Sequence, residues 1–182
     1  LTEEARRLGR DTKFTAFEAG QGMVYLAMAG FNATQQAQAI GGVLNVATGT
    51  LQMSRTGAPD ADSGDVTASG GVTGAGTITN GAAGQRWLFS KTSGSADFSG
   101  TLANGPGAGA LGFNMAGTGT QTLSGANTYA GVTTVGAGTL VVNGSLGDTA
   151  VTVANGAKLM GSGTIGSQTT KADSVTSQSG GT

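Results

Sequence analysis

The stretch Gly117-Thr-Gly-Thr-Gln-Thr-Leu-Ser-Gly-Ala-Asn-Thr-Tyr-Ala-Gly-Val-Thr-Thr-Val-Gly-Ala-Gly-Thr-Leu-Val-Val-Asn-Gly-Ser-Leu-Gly147 decides the fold. Glycine recurs at nearly every third or fourth position, and many of the residues between are β-branched Thr and Val, so a helix is opposed twice over. Strands remain, and they are short. Thr120-Gln-Thr-Leu123, Val132-Thr-Thr-Val135 and Thr139-Leu-Val-Val142 each hold only a few large apolar side chains. Strands this poor cannot furnish the two inner faces of a sandwich. A solenoid asks less of each strand: successive coils stack about 4.8 Å apart, hydrogen-bond to their neighbours and enclose a thin column of small and aliphatic side chains.

The same style continues on both sides. Gly76-Thr-Ile-Thr79, Trp87-Leu-Phe89, Leu111-Gly-Phe113, Val151-Thr-Val153, Lys158-Leu-Met160 and Thr164-Ile165 stand out as strands between glycines. The pairs Asn80-Gly81, Asn104-Gly105, Asn143-Gly144 and Asn155-Gly156 suit tight corners, because both residue types tolerate positive φ. At roughly 20 residues per coil, residues 66–182 supply about six coils and a rod on the order of 30 Å long. The last residues, about 15 of them, are expected to fray. Trp87, Leu88 and Phe89 form the largest apolar cluster of this region and are expected to plug or cap the core near its start. A flexible Gly/Ser/Thr linker is the competing reading, opposed by the Val, Leu and Ile placed between turn signals.

Composition divides the chain. Of its 35 glycines, 7 fall in residues 1–56 and 28 in residues 57–182. Residues 1–56 read as helical: Thr2 caps a first helix, Thr15-Ala-Phe-Glu18 forms a capping box, and Phe17, Val24, Tyr25 and Met28 recur at helical spacing up to Gly30. Ala37, Ile40, Leu44 and Ala47 line a further helix, giving a small α-helical hairpin ahead of the mainly β region. Residues 57–65 read as a solvated linker, in which Asp60, Asp62 and Asp65 alternate without the ligand order of a calcium loop.

The residue inventory excludes whole chemistries. With Cys 0 and His 0 there is no disulfide, thiolate metal site, cysteine nucleophile or imidazole base. A net charge of −1 gives no footprint for nucleic acid, and no apolar run reaches the ~18 residues of a membrane-spanning helix. In the repeat region the acids are Asp97, Asp148 and Asp173, too far apart in sequence to read as a glycosidase pair. Gly71–Gly76 lacks the Lys and the helix context of a phosphate loop. No catalytic, cofactor-binding or metal-binding residue is assigned, and the chain is expected not to be an enzyme.

Leu123-Ser-Gly-Ala-Asn-Thr-Tyr129 followed by Gly138-Thr-Leu-Val-Val-Asn143 closely resembles the autotransporter-associated β-strand repeat. The resemblance spans about residues 66–166. It implies a right-handed parallel β-helix in the passenger of an exported bacterial surface protein, extracellular or at the cell surface, with a structural or adhesive role. It further implies a host-surface or cell-surface ligand and a parent anchored in the outer membrane through a domain outside this sequence. Self-association through exposed solenoid ends is expected as well. Residues 1–56, in Leu8-Gly-Arg-Asp-Thr-Lys-Phe-Thr-Ala16, Leu26-Ala-Met-Ala-Gly-Phe-Asn32 and Gly42-Val-Leu-Asn-Val-Ala47, are similar to phage tail tape-measure proteins. That resemblance implies the alternative of a virion tail component carrying a Gly-rich β insertion.

Overall fold

A parallel β ladder needs only alternating side chains and a neighbour whose strand begins at the same place. The computed structural model describes residues 23–27, 37–40, 42–54, 65–106, 109–166, 175–177 and 180. Among these, every regular element is a strand and every strand pairing is parallel. After β1 (Met23–Ala27) the chain winds in coils of three strands. The first coil is β2 (Ala37–Ile40), β3 (Leu44–Asn45) and β4 (Thr50–Ser54); the second is β5 (Asp65–Ala68), β6 (Val72–Thr73) and β7 (Thr77–Asn80). Then come β8 (Arg86–Ser90), β9 (Ser95–Phe98) and β10 (Thr101–Asn104), followed by β11 (Leu111–Met115), β12 (Thr120–Leu123) and β13 (Ala126–Asn127). The last full coils are β14 (Thr133–Val135), β15 (Thr139–Val142) and β16 (Ser145–Leu146), then β17 (Val151–Val153), β18 (Lys158–Met160) and β19 (Thr164–Ile165); β20 (Val175–Ser177) opens another.

Every third strand shares a face, which is the topology of a three-sided parallel β-solenoid. Face one is a continuous 7-stranded sheet, β2-β5-β8-β11-β14-β17-β20. Face two runs as β3-β6 and then β9-β12-β15-β18, the two parts linked by a lone bridge from Gly74 to Phe98. Face three runs as β1-β4-β7-β10 and then β13-β16-β19. Coil length varies: Ala37 lies beside Asp65, 28 residues on, whereas Thr133 lies beside Val151, 18 residues on.

Register turns alternation into columns. Leu51, Ile78 and Leu102 stack on face three, Phe98, Leu123 and Val142 on face two, and Ala68, Ser90, Met115, Val135 and Val153 on face one. All are buried, and the larger ones each contribute about 1.5–3 kcal/mol by burial. Within β7, β12 and β15 burial alternates strictly, so Ile78, Gln121 and Leu140 face in while Thr77, Thr120 and Thr139 face out.

The corners explain the glycine content. Gly76, Gly100, Gly125, Gly144 and Gly163 stand in a column ahead of face three, and a Cβ on any of the last four would land on the carbonyl oxygen of the glycine one coil before. That oxygen is already taken, since Thr101, Ser145 and Thr164 donate their N–H to Gly76, Gly125 and Gly144 at 3.0, 3.1 and 3.0 Å. These glycines serve close approach between coils.

Three expectations are corrected. Strands occupy Met23–Ala27, Ala37–Ile40 and Leu44–Asn45 where a helical hairpin is expected, and no helix occurs among the described residues. Apolar density there fits either period, and parallel neighbours in β4, β5 and β6 supply a ladder that overrides weak helix propensity. The expected caps at Thr2 and Thr15–Glu18 lie outside the described residues. Of the four Asn-Gly pairs, only Gly156 takes a positive φ, at 78°. Gly105 and Gly144 are instead needed because a Cβ would strike the carbonyls of Asn80 and Gly125. Asp65, expected in the linker, is a buried strand residue, while residues 57–64 lie outside the described set.

Two alanine substitutions separate close approach from flexibility. Gly125→Ala is expected to lower stability by about 3 kcal/mol or more, because a backbone carbonyl blocks the new methyl. Gly94→Ala, with nothing within 4 Å of its Cβ position, is expected to be neutral or to stabilise by up to about 1 kcal/mol. Urea unfolding midpoints check both, and equal loss from both variants counts against the stacked corner.

Candidate functional site

Two faces of the solenoid are interrupted, and a break in a ladder strands backbone donors and acceptors that must find other partners. Buried side-chain amides take over at both breaks. On face two, Gln121 Oε1 accepts from Val72 N–H at 2.9 Å and from the Ser90 hydroxyl at 2.8 Å. Its Nε2 donates to the Val72 carbonyl at 2.9 Å and to the Thr122 carbonyl at 3.0 Å. The amide thus mimics a strand's own donor and acceptor, reaching two coils back to β6. Gly71, at φ 89°, makes room for it: a Cβ there would lie 3.1 Å from Gln121 Oε1 and 2.6 Å from Ala96 Cβ.

Face three uses Asn127 in the same way. Its Oδ1 accepts from Leu102 N–H at 2.9 Å in β10, and its Nδ2 donates to the Ser145 carbonyl at 3.1 Å in β16. One side chain therefore joins the coil before to the coil after. At the neighbouring corner, buried Asn80 donates to Gly84 and Ala110 carbonyls, and Asn104 Oδ1 accepts from Leu111 and Ala130 N–H.

A third buried network closes the corner before face one. Thr149 donates to the Gly131 carbonyl at 2.6 Å, which commits its only proton. Thr133 Oγ1, 2.9 Å away, must then donate to Thr149, and Tyr129, 2.6 Å from Thr133, donates to Thr133. Burial pushes the Tyr129 hydroxyl well above its ordinary pKa, with the Thr133 hydrogen bond opposing in part.

Outward positions form rows. On face one the row is Thr67, itself buried, then Phe89, Asn114, Thr134, Thr152 and Thr176, in register from coil to coil. Trp87 and Phe89 alternate with buried Arg86, Leu88 and Ser90, so of the expected aromatic plug only Leu88 enters the core. The correction has a steric cause: the strand's period of two sends neighbours to opposite faces. The two rings lie 6.1 Å apart on the outside, tilted by 31°. Asp65 Oδ1 fixes the strand beneath them by accepting from Trp87 N–H at 2.7 Å.

The acids singled out by sequence do not converge. Asp97 faces out from β9 and accepts from the Ser124 hydroxyl of the next coil at 2.7 Å. Asp148 lies in the corner between β16 and β17, Asp65 caps Trp87, and Asp60, Asp62 and Asp173 lie outside the described residues. Gly74-Ala-Gly76 forms a corner between faces two and three. Of the residues that do join coils, Gln121, Asn127 and Tyr129 are marked in the sequence only by their place in the Gln121–Leu123 and Asn127–Tyr129 segments of the repeat, and Thr149 by nothing.

Residues 113–142 match the family model described as Passenger-associated-transport-repeat. The match starts within β11, ends on the last residue of β15 and contains Gln121, Asn127, Tyr129 and Thr133. It supports the resemblance to the autotransporter-associated repeat. No curated protein matches the chain, and no solved structure does.

Replacing Gln121 or Asn127 by Leu is expected to lower stability by about 3 kcal/mol each, since buried backbone groups of neighbouring coils lose their partners. Amide exchange at Val72 should quicken in Gln121→Leu and at Leu102 in Asn127→Leu; unchanged exchange at both would remove the bridging role.

Tyr129 makes an alkaline prediction. Its folded pKa lies above the unfolded value near 10, so the folded chain holds the proton longer than the unfolded chain. Its stabilisation is complete below about pH 10 and is lost as pH rises from there toward the folded pKa. Denaturant midpoints measured across about pH 9 to 11 should fall, and Tyr129→Phe should flatten that slope while lowering the neutral-pH midpoint.

Proposed function

We propose that this chain is a non-enzymatic, surface-displayed passenger segment of an exported bacterial protein, serving as a stiff spacer with adhesive outer faces. The observation that carries this reading is the passenger-associated-transport-repeat itself, seated on residues whose buried amides and hydroxyls knit three successive coils. In this reading the winding is right-handed, as parallel crossovers nearly always are. Stiffness follows from the ladder, because bending the stack in any direction would stretch the hydrogen bonds on its convex side and crowd the coils on the other.

A charge-poor chain of Thr, Ser, Asn and Gly suits that role. Its outer rows offer hydroxyls and amides at the regular coil spacing of about 4.8 Å, a polar surface with little charge to attract nucleic acid. Among the described residues β18 is the last strand of face two, and with Met160 57% exposed beside Lys158 it favours stacking onto a further coil or a second copy. The tape-measure alternative draws no support from strands where its helices are expected.

The test is export. Joined to a secretion signal and an outer-membrane β-barrel translocator, the chain is expected to reach the cell surface. Protease treatment of intact cells should leave a resistant fragment containing the coils from β5 to β19. Retention inside the cell, or cleavage at every corner, would count against the passenger reading.

A further inference from the structure

Among the described residues, face one is the one of the three whose ladder runs unbroken from coil to coil, and its outer surface holds the half-buried aromatic side chains Trp87 and Phe89. In the next coil the residue beside Trp87 is Gly112, and a Cβ there would sit 2.9 and 3.0 Å from the indole atoms Cε3 and Cζ3. The indole therefore lies across a strand that offers no side chain, lowered onto the sheet instead of standing off it. Val132, 38% exposed, follows Gly112 along the same row, and Thr67, Asn114 and Thr134 flank Phe89 in the other.

The accessible chemistry of this patch is aromatic, hydroxyl and amide; the one carboxylate in its rows, Asp65 beside Trp87, is buried and accepts from the Trp87 N–H. Asn114 Oδ1, beside Phe89, is buried and has no hydrogen-bond partner among the described residues. Such an acceptor is costly unless something donates to it, and the terminal amide torsion is soft enough to turn it outward. A peptide or a lipid headgroup would bring charge that nothing here answers. An uncharged glycan brings C–H faces for the rings and hydroxyl donors for the amide.

We infer that Trp87, Phe89 and Asn114 on face one form a binding platform for a neutral glycan chain, with Gly112 as its floor. The inference deepens the surface-display reading by naming a ligand class for one outer face. The two fail separately, because export is read on cells and glycan binding on purified protein.

Trp87 is the sole tryptophan, so intrinsic fluorescence of the full chain reports on the platform directly. Cellohexaose, maltohexaose and chitohexaose are the probes. At least one is expected to give a saturable shift of the indole emission that high salt leaves unchanged. Phe89→Ala should weaken that binding about tenfold without changing the melting transition, because the side chain faces outward. Asn114→Ala should weaken binding as well, and Trp87→Ala should abolish the heat of binding in calorimetry. Emission unmoved by all three sugars up to about 10 mM overturns the inference. So does an emission shift that depends on protein concentration alone and disappears in Phe89→Ala, which would assign the face to a second copy of the chain.

Discussion

Everything in this molecule depends on the hydrogen-bonded ladder between coils, and on the requirement that each coil lie over the last at about 4.8 Å. That spacing leaves no room for a side chain wherever two corners meet backbone to backbone. The column Gly76, Gly100, Gly125, Gly144 and Gly163 is the direct result; a parallel series, Gly94, Gly119 and Gly138, precedes β9, β12 and β15, with open space at Gly94 and none at the other two. In each later member of that second series a Cβ would meet the carbonyl of its predecessor. Glycine abundance, which elsewhere signals looseness, here permits contact close enough for order.

The ladder tolerates change in coil length only if the stranded groups are recovered. Face two breaks between β6 and β9 and face three between β10 and β13, one coil apart, so two faces stay paired at each step and face one is paired at both. Gln121 and Asn127 stand at those breaks as backbone substitutes. A primary amide suits this task because it carries donors and an acceptor side by side, as a peptide group does. A hydroxyl cannot bridge two strands that way. Accordingly the hydroxyls of Tyr129, Thr133 and Thr149 act in a chain, each with its single proton passed toward the Gly131 carbonyl.

Much of the solenoid was legible in sequence. The sequence places strands at Gly76–Thr79, Trp87–Phe89, Leu111–Phe113 and six further places, and strands lie at all of them, starting one residue later at Thr77 and at Thr133. Ser95–Phe98, Ala126–Asn127 and Ser145–Leu146 were not singled out, because Ser, Ala and Asn carry little strand preference and only register with β12 and β16 holds them. The Asn-Gly pairs looked like the punctuation, yet the more telling dipeptide is Gly followed by Thr, Ser or Ala. Gly100-Thr101, Gly119-Thr120, Gly138-Thr139 and Gly163-Thr164 each place a glycine at a corner and the first outward side chain just after it. The helical hairpin failed for a different reason: Val24, Tyr25, Ala37 and Ile40 satisfy either period, and only a partner strand far along the chain decides between them. The size of Trp87 suggests a core position, whereas its neighbour Leu88 claims that side of the strand.

The aromatic pair gains its significance from where the ladder is unbroken. A binding face must hold its groups still before the ligand arrives, or the cost of ordering them is subtracted from affinity. Faces two and three change partners at the breaks, so side chains there sit on backbone whose neighbours differ from coil to coil. Face one keeps parallel neighbours on both sides of β8 and β11, and Asp65 ties the Trp87 amide where the β5 ladder gives out. Trp87 is held at its amide by one coil and met at its ring by Gly112 of the next. An aromatic side chain with both its backbone and its ring so placed is preorganised in a way that an isolated surface tryptophan on a loop is not.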